Sequence, residues 1–163
     1  MNARIRNAGP EDAETLLGLI RDLAIFEKAP PETVKATAED LRRHGLREGA
    51  PFEAILAEGG DGTPLGFALF FTNFSTWEGK PGIYLEDLFV VDAARGTGLG
   101  RRLIAAVAAL AVARGCPRLD LSVLDWNPAR RVYERLGFEE MTEWRPYRLS
   151  GAALVALAAT EGD

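Results

Sequence analysis

The sequence has few of the side chains that carry metal-dependent or nucleophilic chemistry in most enzymes. Its 163 residues include one cysteine, Cys116, and one histidine, His44, which excludes an intramolecular disulfide and a cysteine-cluster metal site. Cys116 precedes a predicted strand and fits a small buried side chain, while His44 lies in a charged helical stretch. We therefore expect no catalytic triad, no cysteine nucleophile and no bound metal.

The sequence also lacks long apolar runs and an excess of positive charge. No segment approaches the ~20 apolar residues that cross a bilayer, and the polar stretch 1–7 does not resemble a signal peptide. We expect a cytoplasmic protein that binds no membrane. A net charge of -5 and a pI near 5.0 argue against a nucleic-acid partner and favour cationic substrates. The length predicts one domain over residues 1–163.

The most informative motif is a glycine-rich turn between a predicted strand, 83–91, and a predicted helix, 99–114. It comprises Arg95, Gly96, Thr97, Gly98, Leu99, Gly100 and Arg101. Glycine accepts positive φ, so such a turn aims backbone N–H groups at an anion above the helix N-terminus, and the two arginines can pair with further phosphate oxygens. The turn predicts a phosphate cradle, with a helix cap that binds no ligand as the simpler alternative.

Three phosphate-binding interpretations compete for this turn. A P-loop would end in Gly-Lys-Ser/Thr, whereas the turn ends in Gly100 and Arg101. A dinucleotide-binding turn has an acidic residue about 20 positions on, near Asp120, but its third glycine would fall where Arg101 stands. The third interpretation is the R-x-x-G-x-G/A signature of the GNAT acetyltransferase superfamily, which Arg95, Gly98 and Gly100 match.

Hydrophobic periodicity predicts a strand-rich middle followed by a βαβα order, which indicates a mixed sheet in an α/β domain. The predicted strands are 3–7, 52–57, 65–71, 83–91 and 118–124, with a final strand or hairpin at 138–149. The predicted helices are 10–27, 37–46, 99–114, 128–136 and 151–160, and a polar loop that contains Trp77 spans 73–82.

Several further segments, in order along the chain, carry a family resemblance. They are 23–27 (LAIFE), 77–80 (WEGK), 84–90 (YLEDLFV), 126–128 (WNP) and 133–138 (YERLGF). With them the sequence resembles the GNAT superfamily along nearly its whole length, and more narrowly the diamine acetyltransferase branch that acetylates spermidine, spermine or thialysine. The resemblance implies the GNAT fold, a central mixed, mostly antiparallel, twisted sheet flanked by helices, and a homodimer that uses acetyl-CoA as cosubstrate.

The resemblance also implies a set of site residues. Cofactor contacts are expected from Leu88, Phe89 and Val90 along the pantetheine arm, from Arg95, Gly96, Thr97, Gly98, Leu99, Gly100 and Arg101 at the pyrophosphate, and from Asn127 and Arg130 on its other side. The residues expected to face the amine are Phe26, Glu27, Trp77, Glu86, Asp87 and Glu143, and Tyr133 is expected beside the cofactor sulfur.

Three departures from the family pattern affect this expected site. Phe26 stands where polyamine enzymes commonly carry tyrosine, which removes a hydroxyl from the acceptor pocket. The spacing from Asn127 to Tyr133 is one residue shorter than is common in the family, so the reach of the tyrosine depends on the turn before it. The segment before Trp144 is shortened, which alters the far end of the acceptor pocket.

Acetyl transfer from a thioester requires a neutral amine, a polarised carbonyl and a protonated leaving thiolate. A primary amine with a pKa near 10.4 is neutral in roughly one molecule in two thousand at pH 7, so a base has to take its proton. Alternation along the strand puts Glu86 and Asp87 on opposite faces, and we assign Glu86 as the general base, acting through water. Tyr133 is the expected acid. The alternatives are carboxylates that only attract a cation and a tyrosine that only fills the core.

We expect an N-acetyltransferase that moves the acetyl group of acetyl-CoA to a primary amine of a small molecule by direct attack in a ternary complex. Polyamines, diamines and lysine analogues are the first acceptors to consider. Acetylation of a protein or antibiotic amine, a catalytically idle CoA-binding module and a nicotinamide-dependent oxidoreductase remain as alternatives. Neither nucleic acid nor membrane is an expected partner.

Overall fold

A computed structural model describes residues 2–161 and divides them into two compact units, one ending at Asn127 and the other beginning at Pro128. The first unit contains strands β1 (Arg4–Asn7), β2 (Glu53–Glu58), β3 (Pro64–Ser75), β4 (Lys80–Val90) and β5 (Leu119–Leu121), and helices α1 (Ala13–Phe26), α2 (Ala38–His44) and α3 (Leu99–Ala113). The second contains α4 (Arg130–Arg135) and α5 (Gly151–Ala158). Within the described residues, no helix combines the length and apolar character needed to cross a bilayer.

The sheet has five strands in the order β1-β2-β3-β4-β5. The first four strands are antiparallel to one another and β5 runs parallel to β4, which confirms the prediction of a mixed, mostly antiparallel sheet. The pairing with β5 covers only Ile83–Leu85, whereas β4 runs on to Val90. The end of β4 therefore extends beyond the last β4–β5 pair, because β5 ends at Leu121.

Helices cover both faces of this sheet because each carries an apolar stripe at helical spacing. On one face α3 buries Leu103 and Val107 against the β3 and β4 residues Phe70 and Ile83. On the other face α1 and α2 enclose Phe67. Full burial of each such side chain contributes about 2–3 kcal/mol to folding before entropy is counted. The two cores pack on opposite faces of β4, the strand that carries part of the candidate site.

A charge network fixes the start of α1 to the first two strands. The Arg6 guanidinium donates to both carboxylate oxygens of Asp12 at 2.7 and 2.8 Å, and to those of Glu58 at 3.0 and 2.5 Å. Asp12 is buried and also accepts from the Gly9 N–H at 2.8 Å. The hydrogen bonds from Arg6 hold the pKa of Asp12 below its usual range, and those on Glu58 lower the pKa of that carboxyl too.

A β-bulge interrupts β4 at Glu86. Leu69 pairs with Asp87 and Phe70 pairs with Leu85, so Glu86 is the extra residue of the pair. As a result Leu85 and Leu88, three positions apart, both pack on the α3 face, which strict alternation would forbid. The prediction that alternation places Glu86 and Asp87 on opposite faces assumed a regular strand, and the strand is not regular at that point.

Two predicted segments differ from the structure. The polar loop expected at 73–82 is instead the end of a β3–β4 hairpin, in which Asn73 pairs with Gly82 and Phe74 with Pro81. Cross-strand pairing overrides the polar composition there, and Trp77 lies in the turn with 90% of its surface exposed. The strand or hairpin expected at 138–149 is turn and irregular chain, because no described strand pairs with it and Pro146 has no N–H to donate.

Candidate active site

Three carboxylates lie close to one another where the bulge meets the end of α1. Asp87 is half-buried, and burial raises its pKa to about 6, with smaller contributions from the charges of Glu86 and Glu27. Burial also raises the pKa of Glu27, which caps the C-terminus of α1. Glu86 is exposed at the bulge. The structure thus brings these predicted residues together as an acidic cluster in which the pKa of Asp87 is about 6.

A row of aromatic rings borders this acidic cluster. The Phe26 ring centroid lies 6.5 Å from that of Phe89 and 6.2 Å from that of Trp126. Two cations rest on the row. The Arg95 guanidinium carbon is 4.6 Å from the Phe26 centroid, and Lys28 Nζ is 4.3 Å from the Trp126 centroid. Aromatic faces and carboxylates together are the surroundings that a cationic amine prefers.

Lys28 occupies the position after the last turn of α1 where helices commonly place glycine. Its φ is 59°, in the left-handed region. The Lys28 N–H donates to the Ile25 carbonyl at 3.0 Å and the Ala29 N–H to the Ala24 carbonyl at 2.9 Å, which is the hydrogen-bond pattern of a Schellman cap. This cap fixes the direction in which the chain leaves α1, and the Lys28 side chain lies over Trp126.

The glycine-rich turn has the backbone geometry that a phosphate cradle requires. Gly96 and Gly98 have φ values of 76° and 83°, and no atom lies within 4 Å of a Cβ built on either. Gly98 caps α3, so the first N–H groups of that helix face the open side of the turn. Leu99 is buried in the core, and a Cβ built on Gly100 would lie 3.8 Å from the Val90 side chain. Backbone groups rather than side chains therefore line the turn at these two positions.

The two arginines of the turn differ in their surroundings. Arg95 Nε donates to the Val90 carbonyl at 3.0 Å and its guanidinium forms an ion pair with Asp92, so its side chain is directed to the aromatic row and not to the turn. Arg101 is exposed, and among the described residues its side chain makes no hydrogen bond or ion pair. The Thr97 hydroxyl donates to the Ala94 carbonyl at 2.7 Å and stabilises the turn.

An open pocket of about 280 Å³ adjoins the aromatic row. It is lined by Asp22, Ile25, Phe26, Phe89, Val91, Asp92 and Arg95. A second pocket of similar volume lies at the opposite end of β2, beside the ion pair of Arg114 and Glu53. It contains none of the predicted site residues, so the acidic cluster and the first pocket define the candidate site.

The remaining predicted residues are placed as follows. Leu88 and Val90 lie on the part of β4 beyond its pairing with β5, and Asn127 is buried at the end of the first unit. In the second unit, the Tyr133 ring on α4 meets the Phe138 ring edge-on at 5.6 Å, and Arg130 pairs with Glu140 at 3.2 Å. Glu143 is exposed in the irregular segment and Trp77 is exposed in the hairpin turn.

The residues that the structure describes contain no group of three or more His, Cys, Asp or Glu side chains arranged to hold a metal ion. The candidate site therefore consists of carboxylates, aromatic rings, two cations and a glycine-rich turn. These groups are suited to bind an amine next to a phosphate-bearing group.

The acetyltransferase (GNAT) family model matches residues 20–138, which include the acidic cluster, the aromatic row and the glycine-rich turn. The chain belongs to the GNAT family. It is thus an acetyl-transferring enzyme, and the resemblance drawn from the sequence motifs is confirmed. The fold prediction is confirmed with it.

Named relatives extend over almost the whole of this GNAT chain. Thialysine N-epsilon-acetyltransferase of Bos taurus is 39% identical over 165 residues, covering 94% of this chain and 96% of the relative. L-ornithine N5-acetyltransferase NATA1 of Arabidopsis thaliana is 32% identical over 203 residues and covers 96% and 88%. Among solved structures, an integron cassette protein from the mobile metagenome of V. cholerae has a TM-score of 0.79 at 28% identity and covers 98% and 99%.

Two features of the GNAT site could not be found from the sequence. Lys28 gave no signal, because a lysine after a helix is ordinary and its contact with Trp126, almost a hundred positions away, depends on the fold. The bulge gave none either, because Glu86 continues the strand pattern without a glycine or proline to mark the irregularity.

Proposed function

We propose that this GNAT enzyme transfers the acetyl group of acetyl-CoA to a primary amine of a small molecule by direct attack in a ternary complex. The observation that carries the proposal is the acidic cluster of Glu27, Glu86 and Asp87 beside an aromatic row, with the pKa of Asp87 raised to about 6. Two relatives named for acetylation of thialysine and ornithine support an amine of this size. Lysine analogues, diamines and polyamines are the acceptor classes.

Acetyl-CoA, when bound, supplies an acetyl thioester with an electrophilic carbonyl carbon. The turn from Arg95 to Arg101 fits a pyrophosphate because Gly96 and Gly98 keep open, left-handed backbone above the N-terminus of α3. Arg101 adds a cation with no partner among the described residues. The backbone of Leu88, Phe89 and Val90, on the part of β4 that pairs with β3 but lies beyond its pairing with β5, would hold the pantetheine arm, and Asn127 and Arg130 would line its other side.

The acidic cluster has two tasks in this scheme. It attracts the protonated amine, and one carboxylate takes the amine proton before the N–C bond forms and the C–S bond breaks. Glu86 is exposed and can take that proton through water, while the pKa of Asp87, about 6, is closer to the working pH than an ordinary carboxyl. Because the charge of Glu86 acts on Asp87, we propose that the two carboxylates serve the same amine.

Tyr133 is the proposed acid that protonates the departing thiolate. Replacing Tyr133 with phenylalanine keeps its edge-on contact with Phe138 and removes only the hydroxyl. We expect a fall in kcat of about 100-fold or more, with little change in the affinity for CoA. Full turnover by the variant would remove Tyr133 from the mechanism. Phe26, Trp77 and Glu143 are proposed to contact the acceptor.

The first test is release of free thiol from acetyl-CoA with a panel of amines. The panel contains lysine, thialysine, ornithine, putrescine, cadaverine, spermidine, aminoglycosides and short peptides. Turnover with small amines, lost in Glu86→Gln and Asp87→Asn, supports the proposal. Turnover confined to peptides or aminoglycosides overturns the acceptor class, and CoA binding without turnover on any amine indicates an idle module. Preferential binding of NAD would overturn the acetyl-CoA assignment.

A homodimer is also proposed for this enzyme. Helix α5 exposes Leu154, Val155 and Leu157, at 52%, 70% and 61% of their surfaces, which is an apolar face that association would cover. Sedimentation at micromolar concentration tests it, and a monomer would contradict it. A cytoplasmic location and the lack of nucleic-acid and membrane partners stay predictions.

A further inference from the structure

We propose that Lys28 is a specificity-determining residue that binds the carboxylate of an amino-acid acceptor. The enzyme then favours basic α-amino acids, which carry a carboxylate beside the chain that bears the reacting amine, over diamines of the same length. This inference rests on the proposed function, because it concerns which small amine that same site selects.

The position of Lys28 gives the first argument. Its side chain is exposed and follows directly after Glu27, a member of the acidic cluster, yet its ammonium lies over the Trp126 ring at 4.3 Å. Among the described residues Lys28 forms no ion pair and no side-chain hydrogen bond, so its charge remains available to a ligand. A contact with an aromatic face leaves the three N–H donors of the ammonium free on the other side.

The distribution of charge gives the second argument. The pKa of Asp87 is raised by burial, Glu86 and Glu27, and no nearby cation offsets the effect. Lys28 is not among the charges that shift the pKa of Asp87, so the site contains a positive group at Lys28 on Trp126 in addition to the carboxylate of Asp87. The Phe26 ring contacts the rings of Phe89 and Trp126, and Trp126 is the ring on which Lys28 lies.

A ligand that suits such a site carries an amine at one end and a carboxylate at the other. Lysine, thialysine and ornithine do so, and their carboxylates would meet the Lys28 ammonium. Putrescine, cadaverine and spermidine present a second cation instead, which Lys28 repels. The Lys28 ammonium attracts the carboxylate of an amino acid and repels the second ammonium of a diamine. One lysine therefore both favours the amino acid and disfavours the diamine.

The backbone gives the third argument. Lys28 holds a left-handed φ of 59° at a cap position that favours glycine. From this cap position the Lys28 side chain reaches Trp126. Glycine would adopt this backbone conformation more readily than lysine. The presence of lysine here supports a role for its side chain in the site.

The test compares acceptors that differ only in the carboxylate. Steady-state kinetics are measured for lysine against cadaverine and for ornithine against putrescine, with the wild type and with Lys28→Met, Lys28→Arg and Lys28→Glu. The control is Lys35→Met, which removes a different exposed lysine of the same loop. Equal stabilisation of every variant by CoA in thermal unfolding verifies that the fold and the donor site are intact.

We expect the wild type to favour the amino acid of each pair by at least tenfold in kcat/KM. Lys28→Met should lose this preference through a higher KM for the amino acids, Lys28→Arg should keep most of it, and Lys28→Glu should favour the diamines. Lys35→Met should behave as the wild type. Equal losses for both members of a pair in Lys28→Met, or a wild type that prefers diamines, would overturn the role of Lys28. Absence of turnover with every small amine would instead overturn the proposed function, and the inference with it.

Discussion

Replacement of Asp87 by asparagine should stabilise the protein at neutral pH while it lowers activity. The pKa of Asp87 in the folded protein is about 6, raised mainly by burial and further by Glu86 and Glu27. In an unfolded chain the pKa is about 3.9. The difference is about two units, and each unit corresponds to about 1.4 kcal/mol, so ionising this carboxylate in the folded state costs at most about 3 kcal/mol.

The sign of the effect depends on pH. Below about pH 4 both states hold the proton and Asp87 carries no penalty. Between about pH 4 and pH 6 the unfolded state ionises first, so stability falls as the pH rises, and above about pH 6 the penalty is complete. Asparagine has no such penalty. The variant should gain about 1–3 kcal/mol over the wild type at pH 8 and almost nothing at pH 4.

Urea unfolding at several values from pH 4 to pH 8 measures this difference directly. Asp22→Asn, at an exposed position of α1, serves as the control for loss of one aspartate charge. A gain for Asp87→Asn that is the same at pH 4.5 and pH 8 would refute the reasoning, because a packing effect does not follow the titration of a carboxylate. In the same variant, kcat/KM for the best amine should fall by at least tenfold at pH 7.

Three further predictions concern stability and donor binding. Arg6→Met should lower the free energy of unfolding by about 3 kcal/mol at pH 7. The loss should shrink as the pH falls through the lowered pKa of Asp12. Urea unfolding at several pH values measures the loss, and a loss independent of pH would contradict this prediction. Gly66→Ala brings a Cβ within 2.5 Å of the Phe89 carbonyl oxygen and should cost about 1–3 kcal/mol in the same assay, where an unchanged midpoint would count against it. Gly98→Ala, at φ 83°, should weaken CoA binding in calorimetry, and wild-type affinity would exclude that turn as the cradle.

Much of the fold could be predicted because its signals are local. The apolar stripe of α3, the start of the second helix near residue 37 and the glycine-rich turn can each be recognised in a short stretch of sequence. The mixed sheet predicted from the order of strands and helices was confirmed, as was the mostly antiparallel arrangement that the family resemblance implied. Strand ends were less certain, since β3 and β4 continue through a polar hairpin that cross-strand hydrogen bonds hold together.

The parts of the site that escaped prediction depend on contacts between distant segments. Periodicity assumes a regular strand, so it could not show that the bulge at Glu86 would alter which residues share a face with Phe89. The Arg95 side chain was expected at the phosphate, but the turn directs it to Phe26 and Asp92. The residue roles themselves, including those of Glu86 and Tyr133, stay predictions that the kinetic variants test.

The cost carried by Asp87 is itself an argument for its function. The site contains two cations near the acidic cluster, and a fold selected for stability alone would place one of them against the buried carboxylate. Arg95 is instead paired with Asp92 and Lys28 lies on Trp126, so neither appears among the charges that shift the pKa of Asp87. A carboxylate that neither of these two cations neutralises is suited to pair with the cation of a bound ligand. The amine of an acceptor supplies that charge, and its binding should therefore lower the pKa of Asp87 and relieve the penalty that the free enzyme carries.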